Sequence, residues 1–225
     1  MKLLLPTLAL ASALSLCACA DVPLPTAPSA AAAAAPLALV DGFDPAFFRA
    51  FVQNGYESPD HLEPVRRLPG PLRFYLRTQD DNGRAIDTTT LATTERVLVE
   101  TVSVWSGGRI DVAEVLRGAS TKEKIAGWLT IKWSAVANSG RCGRSTVGVD
   151  GGYIEFNDLG ACSCGNASRI YPRVVRHELG HAMGYYHTDH TDDVMSGRAV
   201  SPEACDQQPS ERERRHAFYA YRQSQ

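Results

Sequence analysis

Apolar positions along the chain switch between two spacings, and each switch marks an element. Phe47, Phe48, Phe51 and Val52 recur at helical spacing behind Asp44-Pro45, an N-cap followed by proline at the first helical position. Gly55 is the expected stop. Leu72 to Arg77 reads as a strand after the Pro69-Gly70-Pro71 punctuation, and Asp81-Asn82-Gly83 as a turn. A second helix is expected from Asp87 to Gly107-Gly108, with Leu91, Leu98, Val102 and Trp105 on one face, although the β-branched Val97 and Val99 argue against it. Arg109 to Val115 alternates as a second strand and Trp128 to Trp133 forms a third. Thr146–Val149 and Tyr153–Phe156 form a fourth and fifth, joined by a turn at Asp150-Gly151-Gly152. A helix is then expected from about Tyr171 to Met183, with Pro172 in its first turn and Val174, Val175, Leu179, Ala182 and Met183 on its buried side. The last helix runs from Ser210 to Arg222. Ser210 and Glu213 form its capping box, and Ala217, Phe218 and Tyr221 face inward.

Ahead of this pattern, residues 1–20 read as an export signal: Lys2, an apolar run, then small residues. Ala18-Cys19-Ala20 fits cleavage before Asp21. Leu16-Cys17-Ala18-Cys19 resembles a bacterial lipobox, which would leave a lipidated Cys19 and a tether to a membrane surface. Residues 21–40 are an Ala/Pro-rich linker, so the folded domain is expected over 41–225. The expected place of action is outside the cytoplasm, secreted or anchored in the cell envelope. The first helix is expected to pack on the domain, the alternative being a pro-segment over residues 41–60 that covers a cleft.

The chain has 225 residues, 44% hydrophobic and 21% charged, enough to bury a core. Its formal charge of −2 gives no footprint for nucleic acid. Cys142, Cys162, Cys164 and Cys205 remain after the signal region, and an even number in an exported chain points to two disulfides. Cys162 and Cys164 are too close to pair with each other, so Cys142 pairs with one of them and Cys205 with the other.

The chemistry lies in His177-Glu178-Leu179-Gly180-His181-Ala182-Met183-Gly184-Tyr185-Tyr186-His187, which reads H-E-x-x-H-x-x-G-x-x-H. Residues four apart on a helix lie about 40° apart around its axis, so His177 and His181 can share one metal ion. Glu178 reaches a water beside that metal without being a ligand. Gly184 lets the chain turn and return His187 as third ligand. Three protein nitrogens with one open position is the composition of a catalytic zinc site. His190 is an alternative third ligand. Otherwise it is a surface histidine, as His61 and His216 are expected to be.

Together with Met195 in Asp193-Val194-Met195-Ser196, this pattern resembles the metzincin metalloproteases. The resemblance implies an α+β fold. It has a twisted mixed sheet of about five strands with an antiparallel edge strand, a zinc-binding active-site helix, a Met-turn and a C-terminal helix. It implies Met195 as an apolar floor under the histidines, and Thr146, Val147, Gly148 and Val149 as the edge strand that pairs with substrate. Some family members carry a tyrosine two residues after the methionine. Gly197 stands there, which places the chain nearer matrixin-like or unclassified bacterial members. Arg141-Cys142-Gly143 resembles the matrixin cysteine switch but falls inside the expected catalytic span, so Cys142 is read as a disulfide partner.

These observations lead to a monomeric, exported zinc endopeptidase acting on peptides or proteins, with one zinc ion and Glu178 as general base. The alternative is an inactive zinc-containing protein that binds peptides or scaffolds the envelope. Calcium has no loop pattern to hold it, although Asp150, Asp158, Asp192 and Asp193 are available.

Overall fold

A computed structural model describes residues 42–122, 124–134, 141–157, 170, 172–198 and 204–222. The signal region with Cys19, the linker, Asp158, Cys162 and Cys164 lie outside the described residues. Among the described residues the elements run α1 (Pro45–Gln53), β1 (Leu72–Arg77), α2 (Thr88–Ser106), β2 (Val112–Gly118), β3 (Leu129–Ser134), β4 (Gly143–Ser145), β5 (Tyr153–Asn157), α3 (Pro172–Ala182) and α4 (Glu211–Arg222). This is a mixed α+β fold. The sheet order is β2-β1-β3-β5-β4, parallel throughout except for β4, which runs antiparallel to β5 at the edge.

Strand alternation sorts the sheet into two faces. Phe74, Leu76, Ile131, Trp133, Ile154 and Phe156 enter one core with Val97, Leu98 and Trp105 of α2 and Val175 and Leu179 of α3. The other face is polar yet largely covered. There the Lys132 ammonium pairs with Glu155 at 2.7 Å and lies 4.3 Å from the centre of the Tyr153 ring. Arg144 also holds the Glu155 carboxylate, and the two cations keep it ionised against the opposing effect of burial.

Helix α1 starts where the Asp44 carboxylate accepts the N–H groups of Ala46 and Phe47 at 2.9 and 3.1 Å. It ends one residue before the expected Gly55, at Asn54 in the left-handed region. Its Phe47, Phe48, Phe51 and Val52 are all buried, worth about 1.5–3 kcal/mol each. Phe51 stacks on Tyr185 with ring centres 4.4 Å apart. Helix α1 is therefore part of the core.

Strand β2 and helix α4 depart from the pattern-based reading. Strand β2 starts three residues late because the Ser106 hydroxyl, at the end of α2, accepts the N–H groups of Arg109 and Ile110 at 3.2 and 3.0 Å. That bonding keeps these residues in a turn. In α4, Phe218 faces outward at 36% exposure, lying under the Arg109 and Arg222 guanidinium groups. His216, expected at the surface, is fully buried. Its Nε2 accepts the Asp44 N–H at 2.9 Å and its Nδ1 donates to the Arg212 carbonyl at 2.8 Å, tying α4 to the start of α1. Burial holds this imidazole below its ordinary pKa, in the neutral form that accepting from Asp44 requires.

Candidate metal centre

Helix α3 presents His177, Glu178 and His181, and it is anchored by polar as well as apolar contacts. The Trp105 indole N–H donates to the Arg176 carbonyl at 2.9 Å. Arg173 and Arg176, which the apolar pattern does not mark, are buried. Arg173 donates to Gln207 and to the Asp193 carbonyl, and Arg176 to Asp206 and the Gln207 carbonyl. After Ala182 the chain turns at Gly184, whose φ is +106°, a region open cheaply only to glycine. A Cβ there would also collide with the Arg66 carbonyl. The turn returns His187 to face the helix.

The three rings sit with centres 4.7 to 5.1 Å apart. His187 Nε2 lies 3.1 Å from His181 Nε2 and 3.2 Å from His177 Nε2. Each Nδ1 is engaged on the outer side. His177 Nδ1 donates to the Val194 carbonyl at 2.7 Å, His181 Nδ1 to the Tyr185 carbonyl at 2.8 Å, and His187 Nδ1 to Glu57 Oε1 at 2.6 Å. A neutral imidazole with its proton on Nδ1 has only a lone pair on Nε2. With the proton of each ring on Nδ1, three Nε2 lone pairs converge, an arrangement a cation resolves. Tetrahedral zinc with Zn–N of about 2.0–2.1 Å separates its nitrogens by about 3.3–3.4 Å, close to the two spacings that His187 makes. Burial, with repulsion from the neighbouring rings, holds His177 well below its ordinary pKa and His181 at about 4, so both are neutral and ready to ligate. Among the described residues this is the group that could hold a metal. His190 is half exposed, paired with Asp189, and does not join it.

Glu178 is 4% exposed, and its Oε2 has no hydrogen-bond partner. Burial pushes its carboxyl up to about 8, against the opposing field of Arg141. It has space because β4 passes it at Gly143, where a Cβ would lie 2.8 Å from its Cγ and Oε1. Beneath the helix lies Met195, fully buried. A Cβ at Gly180 would collide with the Met195 sulfur. That turn is held from α4: Glu213 accepts the N–H groups of Val194 at 3.0 Å and Met195 at 2.7 Å, besides that of Ser210 at 2.7 Å. Glu213 thus closes the expected capping box and braces the segment whose carbonyl, at Val194, orients His177.

The expected edge strand is displaced. Pairing with β5 occupies Gly143–Ser145, not Thr146–Val149. Thr146 still donates its N–H to the Tyr153 carbonyl at 3.1 Å. At Gly148 φ is +56° and the N–H turns to the His181 carbonyl, which ends the strand. Arg66 caps the Val147 carbonyl, and Val149 is exposed. These residues dock the β4–β5 turn on the end of α3. Asp193, one of the carboxylates available to calcium, is fully buried and engaged by Thr188, Ser210 and Arg212. Gly197 lies against His187, with its Cβ position 3.3 Å from the ring. Cys142 and Cys205 are disulfide-bonded. Cys162 and Cys164, and with them the pairing, lie outside the described residues.

Three residues of this centre escape the sequence reading. Glu57 carries no signal, since Tyr56-Glu57-Ser58-Pro59 lies outside every periodic segment. Glu213 is legible as a cap but not as a brace. Gly143 could have been found, because a glycine inside a strand often marks close approach by another group.

No protein-family model matches the chain, and no curated protein matches it. Among solved structures it is similar to the crystal structure of metalloproteinase-II from Bacteroides fragilis, at TM-score 0.47 and 13% identity, over 70% of this chain. The match covers 55% of that protein's chain.

Proposed function

We propose that the protein is an exported zinc endopeptidase of the metzincin type. One observation carries this: three Nδ1-protonated imidazoles converge their Nε2 atoms beside a buried carboxylate oxygen that has no partner. His177, His181 and His187 would hold the ion, which when bound supplies a Lewis acid that polarises a carbonyl and acidifies water. Glu178 then acts as general base. It accepts a proton from the attacking water and gives it to the amine that leaves as the C–N bond breaks. Met195, packed under Gly180, acts as the apolar floor.

Substrate pairs by strand addition, at an edge shifted from the expected one. Thr146 N–H and Asn157 N–H bond across to β5 and from it. By the alternation of an antiparallel ladder, the peptide groups of Gly143 and Ser145 face away from β5. Gly143 also adjoins Glu178, so a peptide paired there passes the base.

The test is metal-dependent cleavage. Purified protein is expected to bind about one zinc per chain and to cleave members of a diverse peptide library, with activity lost to a chelator and restored by zinc. His187→Ala should weaken zinc binding far more than His190→Ala. Equal losses would move the third ligand, and zinc-loaded protein that cleaves nothing would replace the enzyme with a peptide-binding protein.

Export is supported by the disulfide state of Cys142 and Cys205, since disulfides persist in oxidising compartments. All four distal cysteines, Cys142, Cys162, Cys164 and Cys205, are expected to resist thiol reagents in the native protein until a reductant is added. Mass spectrometry showing all four alkylated without reduction would sink the two-disulfide arrangement.

A further inference from the structure

Of the three imidazoles, His187 alone lies outside α3 and takes its outer hydrogen bond from a charged group. His177 and His181 are held by backbone carbonyls of the segment that follows them, whereas His187 is held by a carboxylate 130 residues earlier in the chain. The His187 side chain is 27% exposed, so packing alone restrains it weakly.

The loop that carries Glu57 is built to keep it there. The Glu63 N–H donates to the Gln53 carbonyl at 2.9 Å and closes the loop at its base. The Gly55 N–H donates to the Arg49 carbonyl of α1, and inside the loop the N–H groups of Ser58 and His61 donate to the carbonyls of Asn54 and Ser58. Beside His187, the Tyr186 N–H donates to the Phe51 carbonyl at 2.8 Å, fixing the end of α1 against the returning chain. On the far side Arg66 packs its backbone against Gly184 and reaches the Val147 carbonyl.

We infer that Glu57 is a positioning residue of the metal centre: its carboxylate fixes the ring orientation and Nδ1 tautomer of His187 and increases the donor strength of Nε2. The inference rests on the zinc reading above and extends it to the N-terminal loop, making residues 54–63 a working part of the centre and not a removable cover. A carboxylate behind a ligating histidine makes the imidazole more basic than a carbonyl does, and the charge-assisted bond is the stronger one. The one ligand outside α3 thus receives the charged outer restraint.

Zinc affinity, measured on the purified protein by competition with a chromogenic chelator, tests this independently of peptide cleavage. Glu57→Ala is expected to weaken zinc binding about 10–100-fold. Glu57→Gln, which keeps an acceptor oxygen but no charge, should fall between it and wild type. In the cobalt(II)-substituted protein, both variants should shift the visible absorption bands, a readout that a role in folding alone would leave unmoved. Gln is isosteric, and the Glu57 side chain is 48% exposed, so Glu57→Gln decides the matter if Glu57→Ala does not fold. Zinc affinity within about two-fold of wild type and an unshifted cobalt spectrum in a folded Glu57→Gln would overturn the role of Glu57. Wild-type protein that binds no zinc would overturn the centre itself, and this inference with it.

Discussion

Glu178→Gln is expected to lower peptide hydrolysis by at least ~10²-fold and up to ~10⁴-fold, the usual worth of a general base, while zinc content and fold stay near wild type. The side chain is buried against Gly143, and glutamine keeps its volume there. On the proposed mechanism, what is removed is the capacity to take a proton and return it to the leaving amine. Glu178 is not one of the three converging ligands, so the metal should remain. The pH dependence has a definite sign. The base must be ionised, so activity rises with pH through the Glu178 pKa. Burial, against the opposing field of Arg141, raises that value to about 8, and a bound dication would bring it lower. Single-turnover cleavage at saturating zinc, with metal content measured on the same sample, checks the expectation. A variant that keeps full activity would show that another group is the base.

Glu213→Ala is expected to destabilise the fold by about 3–5 kcal/mol, the cost of removing one member of a buried charged network. Three N–H groups, of Val194, Met195 and Ser210, lose their acceptor. A buried unsatisfied donor costs about 1–3 kcal/mol. For a domain of this size the melting temperature should fall by roughly 10 °C, and zinc affinity with it, because the Val194 carbonyl that orients His177 is no longer held. A change of less than about 1 kcal/mol in urea melts would show that water or a neighbour replaces the carboxylate.

Linkage adds a pH signature at the same residue. Burial, with the Asp193 charge nearby, raises Glu213 to about 7 despite its backbone donors. Its unfolded pKa is near 4.5, so the folded state holds a proton that the unfolded state releases. The stabilisation from this proton is complete below the unfolded value and is lost as pH rises through about 7. Glu213→Gln should flatten that part of the stability profile.

The meeting of the three histidines was legible because helical periodicity and one obligatory glycine convert spacing into geometry. His177, His181 and His187 meet as their positions imply. The helix caps were legible for a similar reason: Asp44, Asp87 and Ser210 act on neighbours two or three residues away. Strand limits were less so. Val147 and Val149 have strand-forming side chains, but the backbone at Gly148 is left-handed and bonds to α3, a tertiary preference that no local pattern displays. Strand β2 was displaced by a single hydroxyl, that of Ser106. Glu57 and the bracing role of Glu213 were hidden because each acts across sequence distance, on groups that periodicity does not connect to it.

The brace from α4 also sets when the centre can form. A chain is synthesised from its N-terminus, so Glu57 and all three histidines emerge before Glu213. Until α4 docks, the N–H groups of Val194 and Met195 lack their acceptor, and the carbonyl that orients His177 belongs to an unbraced turn. A centre assembled in this order is completed last. Chains that end before α4 carry all three histidines but lack the brace on the segment that orients His177.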